Sequence, residues 1–153
     1  MSETTEAASE FKLPAPGEKH ACMKPLEGTF KSEVKMWMGP GEPTVSTGKM
    51  INSFHINGLF LHQDYAGDGT EGVFANFLGK GYFGYNSVLG CFEGFWIDIS
   101  TDQMQLETGQ VDESGKKWEM ISEVSYPGSG AKIKKTDRHR SNRQRSSSHG
   151  FVP

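Results

Sequence analysis

The chain has 153 residues, a net charge of −3, 19 glycines and 11% aromatic residues. That length suits one domain with its own core, and abundant glycine with short alternating apolar runs favours an all-β sandwich or barrel. The sequence contains no run of about 18 apolar residues, which excludes a transmembrane helix. Its acidic, polar start lacks the apolar core of a secretion signal, so we expect a cytoplasmic protein with free thiols at Cys22 and Cys91.

Charge is distributed unevenly along the chain. Residues 1–131 hold nine basic and eighteen acidic residues, a net charge of −9, whereas residues 132–153 hold seven basic and one acidic residue, a net charge of +6. We therefore divide the chain into a disordered lead-in (1–19), a β-barrel domain (20–131) and a basic disordered tail (132–153).

Alternating apolar and polar residues predict seven strands in antiparallel meander order after one short helical turn near His20. The second and third strands flank Asn57-Gly58, the preferred pair for a type I′ hairpin turn, so the numbers of paired residues should sum to 115. A second hairpin, 73–99, is expected to turn at Asn86-Ser87, with paired numbers that sum to 173. The predicted strands cover 26–38, 45–56, 59–65, 73–85, the second half of the 73–99 hairpin, 104–110 and 117–126.

The 73–99 hairpin is apolar on both faces, and its pairing places aromatic rings over glycines. The side chains expected to point inward are Phe83, Tyr85, Phe92 and Trp96. Those expected on the outer face are Leu78, Tyr82, Leu89, Phe95 and Ile97. So much exposed apolar surface predicts a homodimer through that outer face. The reverse assignment of the two faces is the alternative.

Several landmarks, taken in their order and spacing, resemble the bacterial lipocalin-like family catalogued as domain of unknown function family 1579. They are His20 six residues before Leu26-x-Gly28-x-Phe30, Gly84-Tyr85-Asn86, Trp96-Ile97-Asp98, and Gly109 before the turn at 112–116. The family usually has Trp where this chain has Phe30, and Asp where it has Asn86. The resemblance covers about residues 20–131 and implies a calycin-like, lipocalin-like antiparallel barrel with no established activity.

The stretch after residue 131 departs from that family, whose members continue with strands that close the barrel. A shift of reading frame near residues 134–136 would explain the Ser/Arg-rich tail and would leave the barrel incomplete at its C-terminal side. If neither other frame of the gene encodes alternating, strand-like sequence beyond residue 126, this hypothesis fails.

Two motifs in the 73–99 hairpin suggest ligands that we reject. Residues 79–84 spell G-x-G-x-x-G, but a dinucleotide site needs this motif between a strand and a helix, and here it lies inside a strand. Residues 80–85 faintly match an aromatic RNA-binding signature, but their glycine and aromatic residues do not stand at the positions that the signature requires. Residues 1–131 are also acidic, which argues against a nucleic-acid partner. We predict no cofactor, no nucleic-acid partner and no membrane partner.

Titratable side chains offer three further candidate sites. His55, His62 and Asp64 lie near one another on the 45–65 hairpin, but on its expected outer face, so we favour a solvated surface over a metal site. Asp98 lies in an aromatic setting where it could act as an acid or base, although binding to turn amides after it is more common. Cys91 lies in mid-strand without a matched histidine, which argues against a catalytic thiolate.

These observations lead to one favoured function and two alternatives. The favoured function is binding of a small apolar or aromatic molecule inside the barrel, since such pockets are mostly apolar with a few polar groups. The predicted lining residues are Phe30, Val34, Met36, Phe54, Leu61, Phe83, Tyr85, Phe92, Trp96 and Asp98. One alternative is a structural or dimerisation module with a fully packed interior. The other is an isomerase- or hydrolase-type enzyme that uses Asp98 or a histidine, for which the sequence gives the least support.

Overall fold

The computed structural model describes residues 11–37, 39–72, 74–125, 132–140 and 145–151, with side chains as far as residue 125. Within these ranges a four-residue helix, α1 (Glu18–Ala21), and a 3-10 helix (Lys24–Leu26) precede nine strands. The strands are β1 (Gly28–Trp37), β2 (Thr44–His55), β3 (Phe60–Gly67), β4 (Leu78–Asn86), β5 (Cys91–Asp98), β6 (Gln105–Val111), β7 (Lys117–Ser125), β8 (Lys132–Arg140) and β9 (Arg145–Phe151). In the described ranges no helix is long and apolar enough to cross a membrane.

Strands β1 to β7 form an antiparallel meander in which each strand pairs with the next along the chain. Seven such strands make a curled half-barrel, with β1 at one edge and β7 at the other. The all-β fold and the antiparallel meander are therefore confirmed. Of the predicted lead-in, residues 1–10 lie outside the described ranges, residues 11–17 have no regular structure, and α1 begins at Glu18.

The C-terminal part differs from the predicted disordered tail. Strand β8 pairs antiparallel with β7, and β9 pairs antiparallel with β8 and parallel with β1, so the strand order closes into a barrel. An edge strand presents unpaired N–H and C=O groups that accept any backbone, whatever its side chains. A polar, basic segment can therefore form strands by pairing its backbone with the two edge strands of the meander. The composition of the segment alone does not reveal this. The predicted strand end at residue 126 lies outside the described ranges.

The β2–β3 hairpin has the predicted register. Met50 is opposite Tyr65 and His55 is opposite Phe60, so each pair of numbers sums to 115. Asn57 and Gly58 both have positive φ, 56° and 78°, as a type I′ turn requires.

The β4–β5 hairpin turns later than predicted. Phe83 is opposite Gly94 rather than Gly90, and the loop spans residues 87–90. The side-chain Oδ1 of Asn86 accepts hydrogen bonds from the N–H groups of Val88 and Leu89, both at 3.0 Å, and Gly90, at φ 69°, donates its N–H to the Asn86 carbonyl at 2.8 Å. These bonds close a four-residue loop in place of a two-residue turn.

The register error of four residues leaves the strand residues on their predicted faces, because side chains alternate with a period of two. Leu89, expected on the outer face, lies in the 87–90 loop instead. Phe83 and Phe92 are buried, whereas Leu78 and Leu89 are exposed. A sum of 173 also pairs Lys80 with Glu93, and this is wrong, since Lys80 lies opposite Ile97 and forms an ion pair with Asp64 at 3.6 Å. The inward and outward faces are thus as expected, and only the partners differ.

Candidate functional site

The ladders place all ten predicted lining residues on the same face of the sheet, which we call the concave face. Phe54 faces Leu61, Leu61 faces Phe83, and Tyr85 faces Phe92. The remaining five follow the same alternation on β1 and β5. They divide, however, into two groups of five with different surroundings.

Five of the ten lie in or against a packed apolar core beneath the N-terminal segment. Met23 is 0% exposed and packs with Leu26 and three side chains of the barrel wall, Phe92, Trp118 and Met120. Phe92 and Trp118 meet edge to face, with ring centroids 4.6 Å apart. The predicted lining residues in this group, which we call the packed half, are Phe54, Leu61, Phe83, Tyr85 and Phe92.

Charged side chains of the same N-terminal segment lie over two of these rings. The Lys19 ammonium is 6.0 Å from the centre of the Tyr85 ring, and that of Lys24 is 5.7 Å from the centre of the Phe54 ring. The side-chain amide of Asn52 donates a hydrogen bond to the Leu26 carbonyl at 2.8 Å. The segment 18–26 therefore closes this end of the barrel as a plug.

The other five lie on the concave face away from the plug, in what we call the open half. Phe30, Val34, Met36, Trp96 and Asp98 are all half-buried. Trp96 lies over glycines of the neighbouring strand, because a Cβ on Gly79 or Gly81 would stand within about 3.0 Å of its ring. Tyr65 covers Gly48 in the same way. Because these glycines have no side chain, the aromatic rings lie directly against the backbone and form the inner surface of this part of the barrel wall.

Asp98 fixes the Trp96 ring rather than standing as a free acid. Its Oδ2 accepts the indole N–H of Trp96 at 2.8 Å, and its Oδ1 accepts the backbone N–H of Ser100 at 2.8 Å. The bond to the turn amide is the one that sequence reasoning favoured. Both carboxylate oxygens accept hydrogen bonds, and the arrangement positions an aromatic wall.

Buried polar side chains were missing from the predicted site. Ser32, Asn52, Gln105 and Ser122 are all buried, and each lies on the concave face. The signal that could have found them is the same period of two that identified the aromatic lining.

The two histidines and Asp64 lie on the opposite, convex face, as expected. The rings of His55 and His62 are stacked, with centroids 4.8 Å apart and planes 14° from parallel. His55 Nδ1 lies 2.9 Å from the Tyr82 hydroxyl and its Nε2 lies 3.1 Å from the Ser53 hydroxyl. Lone pairs in two parallel ring planes do not converge on one ion, and the described residues hold no group of three candidate metal ligands.

Burial lowers the pKa of His62 below its usual 6.5, and the neighbouring His55 lowers that pKa further. Asp64 opposes the shift by favouring the charged imidazolium, while Lys80 adds to it. The neutral form of the His62 ring is thus favoured in the folded protein, mainly by burial.

A separate groove of about 640 Å³ lies outside the barrel, where the plug meets two hairpin loops. It is lined by the segment 14–20, by Leu59 and Phe60, and by residues 85–87. None of its residues except Tyr85 belongs to the predicted lining. The predicted ligand residues and this groove are therefore two different features of the molecule.

Comparison with known proteins gives a family but no activity. A family model described as a protein of unknown function (DUF1579) matches residues 15–149. The match begins before the expected start at His20 and extends beyond residue 131 into the predicted tail. No curated protein matches the chain. With most of its length covered by that model, the chain belongs to the DUF1579 family of proteins of unknown function.

Proposed function

We propose that the protein binds a small, mainly apolar molecule on the concave face, in the open half of the barrel. The observation that carries this proposal is the contrast between the two halves of the predicted lining. Side chains beneath the plug are buried against one another, whereas Phe30, Val34, Met36 and Trp96 present apolar surface that stays half-buried on a concave wall. Ligand pockets have this composition, with a few polar groups that fix orientation.

The wall of the open half is also held in place before any ligand arrives. The hydrogen bond from Trp96 Nε1 to Asp98 Oδ2 fixes the indole, and Gly79 and Gly81 give its ring a seat without steric conflict. A rigid aromatic surface loses little freedom when a ligand packs on it, and this favours binding.

Titration with the uncharged fluorescent probe N-phenyl-1-naphthylamine tests the proposal. Val34→Trp would add a further large ring to the open half and should weaken probe binding about 10-fold or more, because a filled pocket offers less apolar area to the probe. Val45→Trp is the matched control, since Val45 is an exposed residue on the convex face of β2, next to the partner of Val34.

Urea unfolding of both variants establishes that they are folded. Trp96→Ala, which removes the aromatic wall without adding bulk, should also weaken binding of the probe. Absence of probe binding to the unmodified protein, or equal binding to the Val34→Trp and Val45→Trp variants, would overturn the proposal.

A second candidate function, self-association, is favoured by the convex face. Five apolar side chains lie on that face of four successive strands, and we call them the convex patch: Tyr82, Phe95, Ile97, Leu106 and Ile121. Tyr82, Phe95 and Leu106 follow one another directly across β4, β5 and β6. A second copy is the occupant that we propose, because the Lys80 and Asp64 pair beside the patch lets two copies related by a two-fold axis exchange ion pairs.

Sedimentation velocity distinguishes a dimer from a monomer. Leu106→Glu places a charge in the middle of the convex patch and should yield a monomer, whereas Val88→Glu, at an exposed position in the 87–90 loop, should leave the association unchanged. A monomeric unmodified protein at high concentration rules out this function.

We also propose a cytoplasmic location. Cys22 and Cys91 are both free thiols, and free thiols persist in reducing compartments. Fractionation of cells that express the full chain tests this, and recovery of the protein outside the cytoplasm would contradict it.

A further inference from the structure

Three polar atoms on the concave face bear on the chemistry of the ligand. They are Asn52 Oδ1, Trp118 Nε1 and Ser122 Oγ, which are buried and have no hydrogen-bond partner among the residues that the structure describes. Their side chains are exposed by only 5%, 2% and 3%. A buried polar atom without a partner has lost its hydrogen bonds to water and has gained none in their place. A ligand that forms hydrogen bonds with these atoms would therefore stabilise the folded protein.

The hydrogen-bonding roles of these atoms are defined. The amide nitrogen of Asn52 donates to the Leu26 carbonyl, which fixes the orientation of the amide and leaves Oδ1 as an acceptor. The indole nitrogen of Trp118 can only donate, and the Ser122 hydroxyl can do either. A complementary molecule therefore carries at least one acceptor and at least one donor.

Asn52 and Ser122 lie where the open half meets the packed half, and Trp118 lies deeper, in the packed core. Asn52 is opposite Gln63 in the row of side chains that includes Trp96, and Ser122 is opposite Glu107 in the next row toward the plug. Trp118 is opposite Val111, two rows further toward the plug, and its ring meets that of Phe83, with centroids 5.7 Å apart. A molecule that enters through the open half would meet these atoms at its inner end.

We propose that the ligand is a small aromatic or alicyclic molecule with a polar end: a carbonyl or ether oxygen that accepts the Trp118 N–H, and a hydroxyl or amide N–H that donates to Asn52. Its apolar body lies in the open half against Trp96. This inference rests on the proposed function, and it distinguishes such a molecule from a plain hydrocarbon or a saturated acyl chain.

Two probes of nearly equal size test the acceptor. 2-Acetylnaphthalene carries a ketone oxygen, and 2-ethylnaphthalene has the same shape without it. The chain contains three tryptophans, so its ¹⁵N–¹H correlation spectrum should show three indole signals, and Trp118→Phe identifies the one from Trp118. The ketone should shift that signal downfield, and the hydrocarbon should not.

Affinities provide a second measurement on the same pair. Trp118→Phe should weaken binding of the ketone about 10-fold, the value of one typical hydrogen bond, and change that of the hydrocarbon less than about 3-fold. Trp37→Phe is the control, because Trp37 lies on the other face of β1. The spectral test uses the unmodified protein, and it does not depend on the folding of Trp118→Phe. Trp37→Phe and Trp96→Phe identify the other two indole signals, so the signal of Trp118 is also assigned by elimination.

The possible results separate this inference from the proposed function. If both probes bind and neither moves the Trp118 signal, the inference is wrong and the proposed function stands; a bound internal water at Trp118 would give this result. If neither probe binds, the proposed function fails and the inference fails with it.

Discussion

The indole ring of Trp96 lies directly against the backbone of Gly79 on the neighbouring strand. A Cβ at Gly79 would stand less than 3.0 Å from the ring, nearer than a Cβ approaches other atoms in real structures. Asp98, the residue opposite Gly79, holds the indole nitrogen from the other side. Glycine at position 79 is thus a requirement of the aromatic wall in the open half.

Gly79→Ala should destabilise the fold by about 1–3 kcal/mol, the usual cost of overpacking a tight site. Urea unfolding measures the free energy. Gly69→Ala is the control, because a Cβ there meets no atom within 4 Å. The double variant Gly79→Ala with Trp96→Leu should recover part of the loss, and an equal loss in the single and double variants would count against steric conflict with the ring.

Truncation of Met23, the fully buried side chain of the plug, should lower the stability of the fold. Met23 is fully buried in the core, so Met23→Ala should lower the free energy of unfolding by about 2–5 kcal/mol. Met104→Ala, at an exposed position, should change it by less than about 0.5 kcal/mol. If thermal or urea unfolding shows both variants equally stable, segment 18–26 does not close the barrel.

The β4–β5 loop depends on one side chain. Asn86→Ala removes the acceptor for the N–H groups of Val88 and Leu89 and should cost about 1 kcal/mol, since water replaces part of the loss at this exposed loop. Ser87→Ala, the adjacent exposed residue, should be close to neutral. Chemical denaturation of the two variants decides this, and a neutral Asn86→Ala would mean that Gly90 alone sets the loop.

Stability should fall as the pH decreases below about 6.5, in part because of His62. Its pKa is lower in the folded state than its usual 6.5, so the unfolded chain binds the proton first and gains stability from it. His62→Asn should therefore show a smaller drop in urea midpoint between about pH 7.5 and about pH 5.5. The ring is only half-buried, so solvent screening keeps the effect small. An unchanged drop would assign the pH dependence to other groups.

How much the sequence could predict is clearest in the two hairpins. Asn57-Gly58 specifies one turn type, and the β2–β3 register followed from it residue by residue. Asn86-Ser87 does not specify a turn type. The conformation of that loop depends instead on the hydrogen bond that the Asn86 side chain accepts from Val88 and on the positive φ of Gly90. Faces were nonetheless predictable in both hairpins, because alternation survives any even shift in register.

Properties that depend on distant partners could not be predicted. The short helical turn near His20 was expected, but local sequence does not show that Met23 would share one buried core with Trp118, a residue of β7. The polar composition of residues 132–153 indicated disorder, whereas strands β8 and β9 follow edges supplied by β7 and β1. The ten predicted lining residues share one face, yet only the packing shows that half of them lie beneath the plug.

The central claim is that a ligand binds on the concave face of the open half. Intermolecular nuclear Overhauser effects between 2-acetylnaphthalene and the isotope-labelled protein test it most directly. We predict contacts from the naphthalene protons to Phe30, Met36 and Trp96, and none to the convex patch residues Phe95 and Leu106. Contacts confined to the convex patch, or no contacts at a saturating probe concentration, would contradict the claim.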